Sequence, residues 1–378
     1  MNKAVVGFVA GAVVVGAAGF ATLVYPQMRA KQKVDASIAA LPKDVQARYQ
    51  TLDYSLFSGK LVIGGLEMTV QDGADTVTTK LSSVSLRNFT AERVGELRGT
   101  GITVEAGDGS LRLEADELSG EQMEAAQGLL AGFNATGANA MNIKHMALTG
   151  ISVTLPGEVV KLREVVIADY VQTDKVPQAM SLGIHGLLVE PQSLPDDDAR
   201  EALAKLGYDK LSLNFDLSYA HSAANKRLSI KQAAIGGDGL GQLSIAMDLG
   251  GVDPNAINDP ILAMAAAQAA TLESMELRYD DASLAGRILK LAASEAEMEE
   301  AQFKAMLLAQ LAEAGAQAPA TPLTKEMLDS ATAFLTSPKS LSLRLKPAQP
   351  MPLAQIMGNA QDPVALAQAM GMSVSANR

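Results

Sequence analysis

From Thr51 onward the chain alternates apolar and polar residues with a period of two, the signature of strands that bury one face. Leu52, Tyr54 and Leu56 open the pattern, and Ser58-Gly59 turns it into Lys60-Leu61-Val62-Ile63, which predicts a hairpin. Further alternating runs cover Thr76 to Leu86, Gly95 to Glu105, Ser110 to Ala115, Asn142 to Leu155, Val159 to Val171 and Ala179 to Val189. A second group follows: Leu211, Leu213, Phe215 and Leu217, then Leu228 and Ile230, then Leu243, Ile245, Met247 and Leu249. Such closely spaced strands, separated by Gly, Asp, Asn or Pro, predict a meandering antiparallel sheet rather than a parallel one needing crossover helices.

Helical periodicity interrupts this pattern in few places. Ser119-Gly120-Glu121-Gln122 fits a capping box opening a helix to about Gly132, and Asp196-Asp197-Asp198 fits the start of another that stops at Gly207. From Asn255 the chain reads as helical and rich in Ala and Met, with one strand at Leu272 to Tyr279. A long amphipathic helix is then predicted from about Ser283 to Ala312, on a stripe that includes Leu284, Ile288, Leu291, Met298, Met306 and Leu311. Gly315 to Pro322 reads as a linker, followed by a helix to Leu335 and a strand from Leu341 to Leu345. Alternating aliphatics running into Gly and then Leu or Ile recur at Leu61 to Leu66, Ala147 to Ile151 and Leu182 to Leu187, either as a repeat unit or as ordinary turn chemistry.

A different pattern occupies the N-terminus. Ala4 to Val24 is a run of 21 residues without a charge, flanked by Lys3 and by Tyr25, Pro26, Arg29, Lys31 and Lys33. As a helix it covers about 30 Å, the thickness of a bilayer core, with Tyr25 at interfacial depth. A cleaved signal peptide, with Gly19 and Ala21 before the scissile bond, is the competing reading, but its apolar segment is normally shorter. The basic C-terminal flank argues for a cytoplasmic body; the three-residue N-terminal tail, typical of a signal anchor, argues for export, and export is the expectation adopted. Gly7 and Gly11 form a GxxxG pair that could bring two such helices together.

The fold class expected is therefore α+β, mostly antiparallel β: an extended meandering sheet with a few packing helices, preceded by a single transmembrane helix. The organisation expected is an anchor at 1–25, a helical stalk at 26–50 interrupted at Pro42, a β body at 51–250, a mixed helix and strand region at 251–346, and a Pro-rich and Ala/Met-rich tail at 347–378.

Composition narrows the function. Apolar residues make up 48% of the 378 and charged residues 19%, which predicts a folded body. The net charge of -11 argues against nucleic acid as a partner. With no cysteine there is no disulfide and no thiolate chemistry; with no tryptophan and few aromatics, the core must be aliphatic.

Candidate chemistry is sparse. His145, His185 and His221 are far apart in sequence and form no metal-ligating motif. Gly236-Gly237-Asp238-Gly239-Leu240-Gly241 departs from dinucleotide-binding spacing and leads into a strand, so a hairpin turn is expected. Asp196 to Asp198 suits a helix N-terminus better than a cation site, and Glu295, Glu297, Glu299 and Glu300 read as a solvated helix face. No catalytic residue, cofactor-binding residue or metal ligand is assigned, and no cofactor is expected.

The N-terminal run, the segment Tyr54-Ser55-Leu56-Phe57-Ser58-Gly59-Lys60-Leu61-Val62-Ile63-Gly64-Gly65-Leu66, and Gly239-Leu240-Gly241-Gln242-Leu243-Ser244-Ile245 together resemble the YdgA-like and AsmA-like inner-membrane-anchored periplasmic proteins of Gram-negative bacteria. The resemblance lies in strand and turn patterns and layout. It implies a body in the periplasm, a role in envelope maintenance, and for the AsmA-like group lipid movement along an apolar β groove; it supplies no catalytic residues. The expected function is a membrane-anchored envelope binding or scaffold protein, contacting lipid or an envelope protein through an apolar β face. A hydrolase whose site assembles only in three dimensions, and a membrane protein that forms homo-oligomers through the long helix and the Gly7/Gly11 face, are the alternatives.

Overall fold

The computed structural model describes residues 26–378 except 40, 42, 73–74, 91, 126–139, 174–175, 192–193, 195, 254–268 and 359–362. Ala4, Gly7, Gly11, Val24 and Tyr25 lie outside the described residues, as does most of the helical stretch expected after Asn255. The protein is mostly antiparallel β with several helices, an α+β fold, and divides into two compact units at Leu187/Leu188.

The first unit begins with α1 (Pro26–Ala39), where proline at the first helical position loses no hydrogen bond. It continues through β1 (Val45–Arg48), β2 (Thr51–Ser55), β3 (Lys60–Asp72), β4 (Asp75–Phe89), β5 (Arg93–Ala106), β6 (Arg112–Ala125), β7 (Met141–Leu155), β8 (Glu158–Thr173) and β9 (Val176–Val189). From β3 each strand is hydrogen-bonded to the next, a meander, while β1 and β2 share one edge of β3.

The core lies on one face of this sheet, and its positions do not follow simple alternation. On β3 the buried residues are Leu61, Ile63, Leu66 and Met68; on β4 they include Leu81, Val84, Leu86 and Phe89. A step of three replaces a step of two where Gly65 takes φ +61°, a left-handed conformation that reverses the pleat. Register is unbroken across the reversal, because Gly64 still faces Ser83 and Leu66 still faces Leu81. Gly101, Gly150 and Gly186 repeat the conformation on β5, β7 and β9, and a Cβ on each would strike Ser82, Asp116 and Arg163 respectively on a neighbouring strand. A second crease runs six residues away along β4, β6 and β8, through Asn88, Gln122 and Asp169 at φ +52°, +47° and +48°. Both creases cross the sheet in register, so every strand changes phase together and the large apolar side chains stay on one side.

The recurring Gly-Leu and Gly-Ile pairs are therefore the first crease, in mid-strand, and not turns. The second crease explains why no helix starts at Ser119: residues 119–125 belong to β6, with Gln122 at the reversal, and the rest of the predicted span, to Gly132, lies outside the described residues. A capping interaction contributes only about 1 kcal/mol, less than two flanking ladders and the burial of Leu118 and Met123.

The stalk departs from expectation in two ways. Its second half is strand β1, paired with β3. Its first half, α1, is helical as expected but lies on the body: Ala30 and Val34 are fully buried in the sheet's apolar cluster, with Ile38 packed against it at the same four-residue spacing. The Gln27 carboxamide donates to Leu52 O (2.5 Å) and accepts from Tyr54 N (2.6 Å), and the Tyr49 hydroxyl donates to Asp35 (2.6 Å). The helix seals one edge of the core.

The outer face carries ion pairs between strands, among them Arg48–Glu67, Arg87–Glu96, Arg93–Glu124 and Arg112–Glu105. Exposed pairs contribute at most about 1 kcal/mol each, but they join residues directly opposite in register and so favour the observed pairing.

The second unit contains α2 (Asp197–Lys205), β10 (Leu211–Ser222), β11 (Arg227–Gly237), β12 (Gly241–Gly250), β13 (Thr271–Asp281), α3 (Leu284–Glu295), α4 (Glu300–Gln317), α5 (Pro322–Thr336), β14 (Ser340–Leu345), β15 (Met351–Pro352), α6 (Leu353–Gly358), α7 (Pro363–Ala369) and β16 (Ser373–Ala376). Strands β10 to β14 and then β16 form an antiparallel sheet in that order. Helix α2 starts where Asp196 accepts from Asp198 N and Ala199 N, and ends before Gly207 at φ +74°, as the sequence predicts.

The long helix predicted from Ser283 is two helices. Glu297 takes φ +54° and Glu299 is extended, so the chain breaks between Ala296 and Glu299. The predicted linker is shorter than expected, since α4 runs to Gln317 and α5 begins at Pro322 with the Thr321 hydroxyl accepting from Thr324 N. The tail packs back: β16 pairs with β14, Ser330 donates to Val374 O (3.0 Å), and Asn377 bonds Lys339, Ser340 and Ala333.

Candidate functional site: an exposed apolar row on the second sheet

Strand pairing places the alternating residues of β10 to β13 on common faces. Phe215 lies opposite Ile235, and Ile235 opposite Leu243. Leu277, opposite Ile245, joins them diagonally on β13. These four side chains are 38%, 55%, 45% and 36% exposed, so this face carries an apolar row open to its surroundings. Single exposed apolar residues need no explanation, whereas a contiguous exposed row is a candidate binding surface. The other face of the same strands is polar, with Arg278 bonded to Asp280 and Arg344 to Glu276.

Leu243 and Phe215 stand out from alternation alone. Ile235 does not, because the register between β11 and β12 shifts between Ile230 and Ala233. That shift moves Ile235 onto the face of Ile230 although five residues separate them. An alternation break at Lys231-Gln232 was the available signal.

One end of this face is covered. Tyr279, opposite Leu243, meets the Phe334 ring of α5 edge-on at 6.2 Å, and its hydroxyl donates within reach of both Leu240 O and Asp281. Burial and the Asp281 carboxylate push that hydroxyl's pKa well above the ordinary phenol value. At the strand ends the glycine cluster forms the β11–β12 turn, as expected. Tyr208 and Ser283 hydroxyls both donate to Gly239 O (2.8 and 2.7 Å), and Arg287 stacks on the Tyr208 ring at 4.3 Å while bonding Leu206 O and Gly207 O. The turn thus directs carbonyls into a clamp of side chains, and it opens no helix that could hold a phosphate.

The remaining candidates are separate from this row. His145 lies on β7 opposite Ala168, His185 approaches Glu164 at 3.4 Å, and His221 at the far end of β10 contacts Val252 O through Nε2 while its buried Nδ1 has no partner. Among the described residues no group of three or more His, Asp or Glu is arranged to hold a metal ion. A shallow polar recess in the first unit is lined by Arg93, Glu124, Asn142, Lys144 and Asp169. Its charges pair with one another (Arg93–Glu124 at 3.3 Å, Lys144–Asp169 at 2.6 Å), and Asp169 holds the Lys144 pKa above its ordinary value. Among the described residues no helix is long and apolar enough to cross a membrane.

A family model described only as an uncharacterized protein matches residues 234–377, from the end of β11 to Asn377. No curated protein matches the chain.

Proposed function

We propose that this protein is a membrane-anchored binding protein of the bacterial envelope, held in the inner membrane by residues 1–25 with its body in the periplasm, and that the Phe215–Ile235–Leu243 row accepts a lipid acyl chain. The observation that carries the reading is that row with Leu277 diagonal to it: four large apolar side chains, contiguous and exposed, on a sheet whose reverse face is polar. An acyl chain has the matching chemistry, since it needs continuous aliphatic contact and no hydrogen bonds. The uncharged run Ala4 to Val24 supplies the anchor, and Gly7 and Gly11 offer a face for a second copy.

Native mass spectrometry of the detergent-extracted full chain tests this. Co-purifying phospholipid is expected on the native protein. It should fall at least about tenfold when Ile235→Asp and Leu243→Asp place charges in the row, because a buried unpaired carboxylate is strongly unfavourable against hydrocarbon. Lipid bound equally by both proteins, or by neither, overturns the acyl-chain reading. A protein crosslinked at Ile235 in its place would redirect it to a scaffold role.

A further inference from the structure

The β2–β3 turn carries Leu56 and Phe57 where turn chemistry favours Gly, Asn, Asp or Pro. Phe57 is fully exposed at 104% and Leu56 is 49% exposed. Turns at the opposite end of the same sheet are built conventionally, from Gly107-Asp108-Gly109-Ser110 between β5 and β6 and Pro156-Gly157 between β7 and β8. Leu155 and Val159 flank the second of these turns at 39% and 56% exposure, but they stand on strands; a fully exposed ring within the turn itself calls for an apolar environment at the β2–β3 end.

The direction of α1 identifies the environment. Gln27, in its first turn, bonds Leu52 and Tyr54 near the end of β2, whereas Asp35, eight residues later, bonds Tyr49 before its start. Helix and strand therefore run antiparallel, and the N-terminal end of α1 lies beside the hairpin tip. Phe57 is three residues beyond Tyr54, at most about 11 Å along the chain. Met28, 59% exposed, adds to the same end. The uncharged run stops at Val24, two residues before α1 begins. Charge agrees with this placement: Arg29, Lys31 and Lys33 on α1 and Lys60 at the start of β3 stand against Asp35 and Asp53, in a chain of net charge -11.

We infer that Leu56 and Phe57, with Met28, form a foot that inserts into the interfacial layer of an anionic phospholipid bilayer beside the anchor, and so fixes how the first unit stands on the membrane. This rests on the membrane anchoring proposed above. The foot takes the apolar tip, and the basic residues of α1 take the head-group phosphates.

The chain has no tryptophan, so Phe57→Trp creates a single indole at an exposed position. The full chain is reconstituted into phosphatidylcholine and phosphatidylglycerol vesicles, with or without lipids brominated near the top of the acyl chain. Bromolipid should lower the emission of Phe57→Trp at least about twofold, the response of an indole at interfacial depth. The emission of Leu155→Trp, at the end of β7 beside the turn at the opposite end, should not change. Unquenched Phe57→Trp in protein that still floats with the vesicles overturns the foot and leaves the anchor standing. Equal quenching of both variants means the unit lies flat, which also overturns it. Protein that does not float with vesicles overturns the anchor, and the foot with it.

Discussion

The two units use the same material differently. Both are antiparallel meanders of aliphatic strands, yet the first buries its apolar face from β3 to β7, with β8 half-buried, and the second leaves a row of its face open. In the first, the continuous cluster runs from Ala30 to Ile151, with Leu61, Ile63 and Val84 at zero exposure. In the second, the helices cover one end of the face, through contacts such as Phe334 on Tyr279, and Ile235 remains 55% exposed. Two devices account for the difference. Paired creases keep every first-unit strand in phase, and α1 closes the edge. The second sheet instead carries a bulge at Lys231-Gln232 of β11, where register shifts against both neighbours, at Ser218/Tyr219 and Ile230/Ala233, and a further shift between β12 and β13 at Asp248/Leu249. The contrast is one of coverage, and the proposed binding role of the row rests on it.

The largest effect should come from exchanging equivalent truncations. Leu61→Ala in the first unit is expected to cost about 2–5 kcal/mol, whereas Ile235→Ala should stay within about 0.5 kcal/mol. Denaturant unfolding of both variants checks this; equal losses would mean that the row is core. Next, Gly150→Ala should cost about 1–3 kcal/mol, because its φ is +64° and the added methyl would meet Asp116. Asp116→Gly should restore only part of that loss, and full restoration would show that steric conflict alone, not the left-handed backbone, holds the crease glycine. The smallest effect concerns the edge closure. Burial and Asp35 push the Tyr49 pKa up to about 12, so the folded state favours the neutral phenol. Its contribution is complete below the ordinary value of 10 and disappears as pH rises through 12. Tyr49→Phe should lose about 0.5–1.5 kcal/mol near neutral pH and show a shallower stability loss between pH 10 and 12; parallel pH profiles would exclude the Tyr49–Asp35 bond as its source.

Much of the strand order was legible because period two is a local signal. The hairpin at Ser58-Gly59, the runs from Thr76 to Val189 and the α2 boundaries at Asp196 and Gly207 all coincide with observed elements. The crease was visible as a recurring Gly-Leu or Gly-Ile pair, but its role was not, because a left-handed glycine looks the same in sequence whether it ends a strand or reverses its pleat. Residues 119–125 carry a helix-start pattern that pairing on both sides overrides. Of the row, Phe215 and Leu243 were readable and Ile235 was hidden by a register shift.

Sequence by itself determined the antiparallel class, the aliphatic core composition, the uncharged N-terminal run and the scarcity of ligating residues, since each depends on residue identity or short-range periodicity. Only the tertiary structure decided that α1 docks instead of acting as a spacer, that the tail returns to β14, and that Phe215, Ile235 and Leu243 share one open surface. Those outcomes depend on which distant strands pair and in what register, and burial is decided by neighbours that the local pattern does not contain.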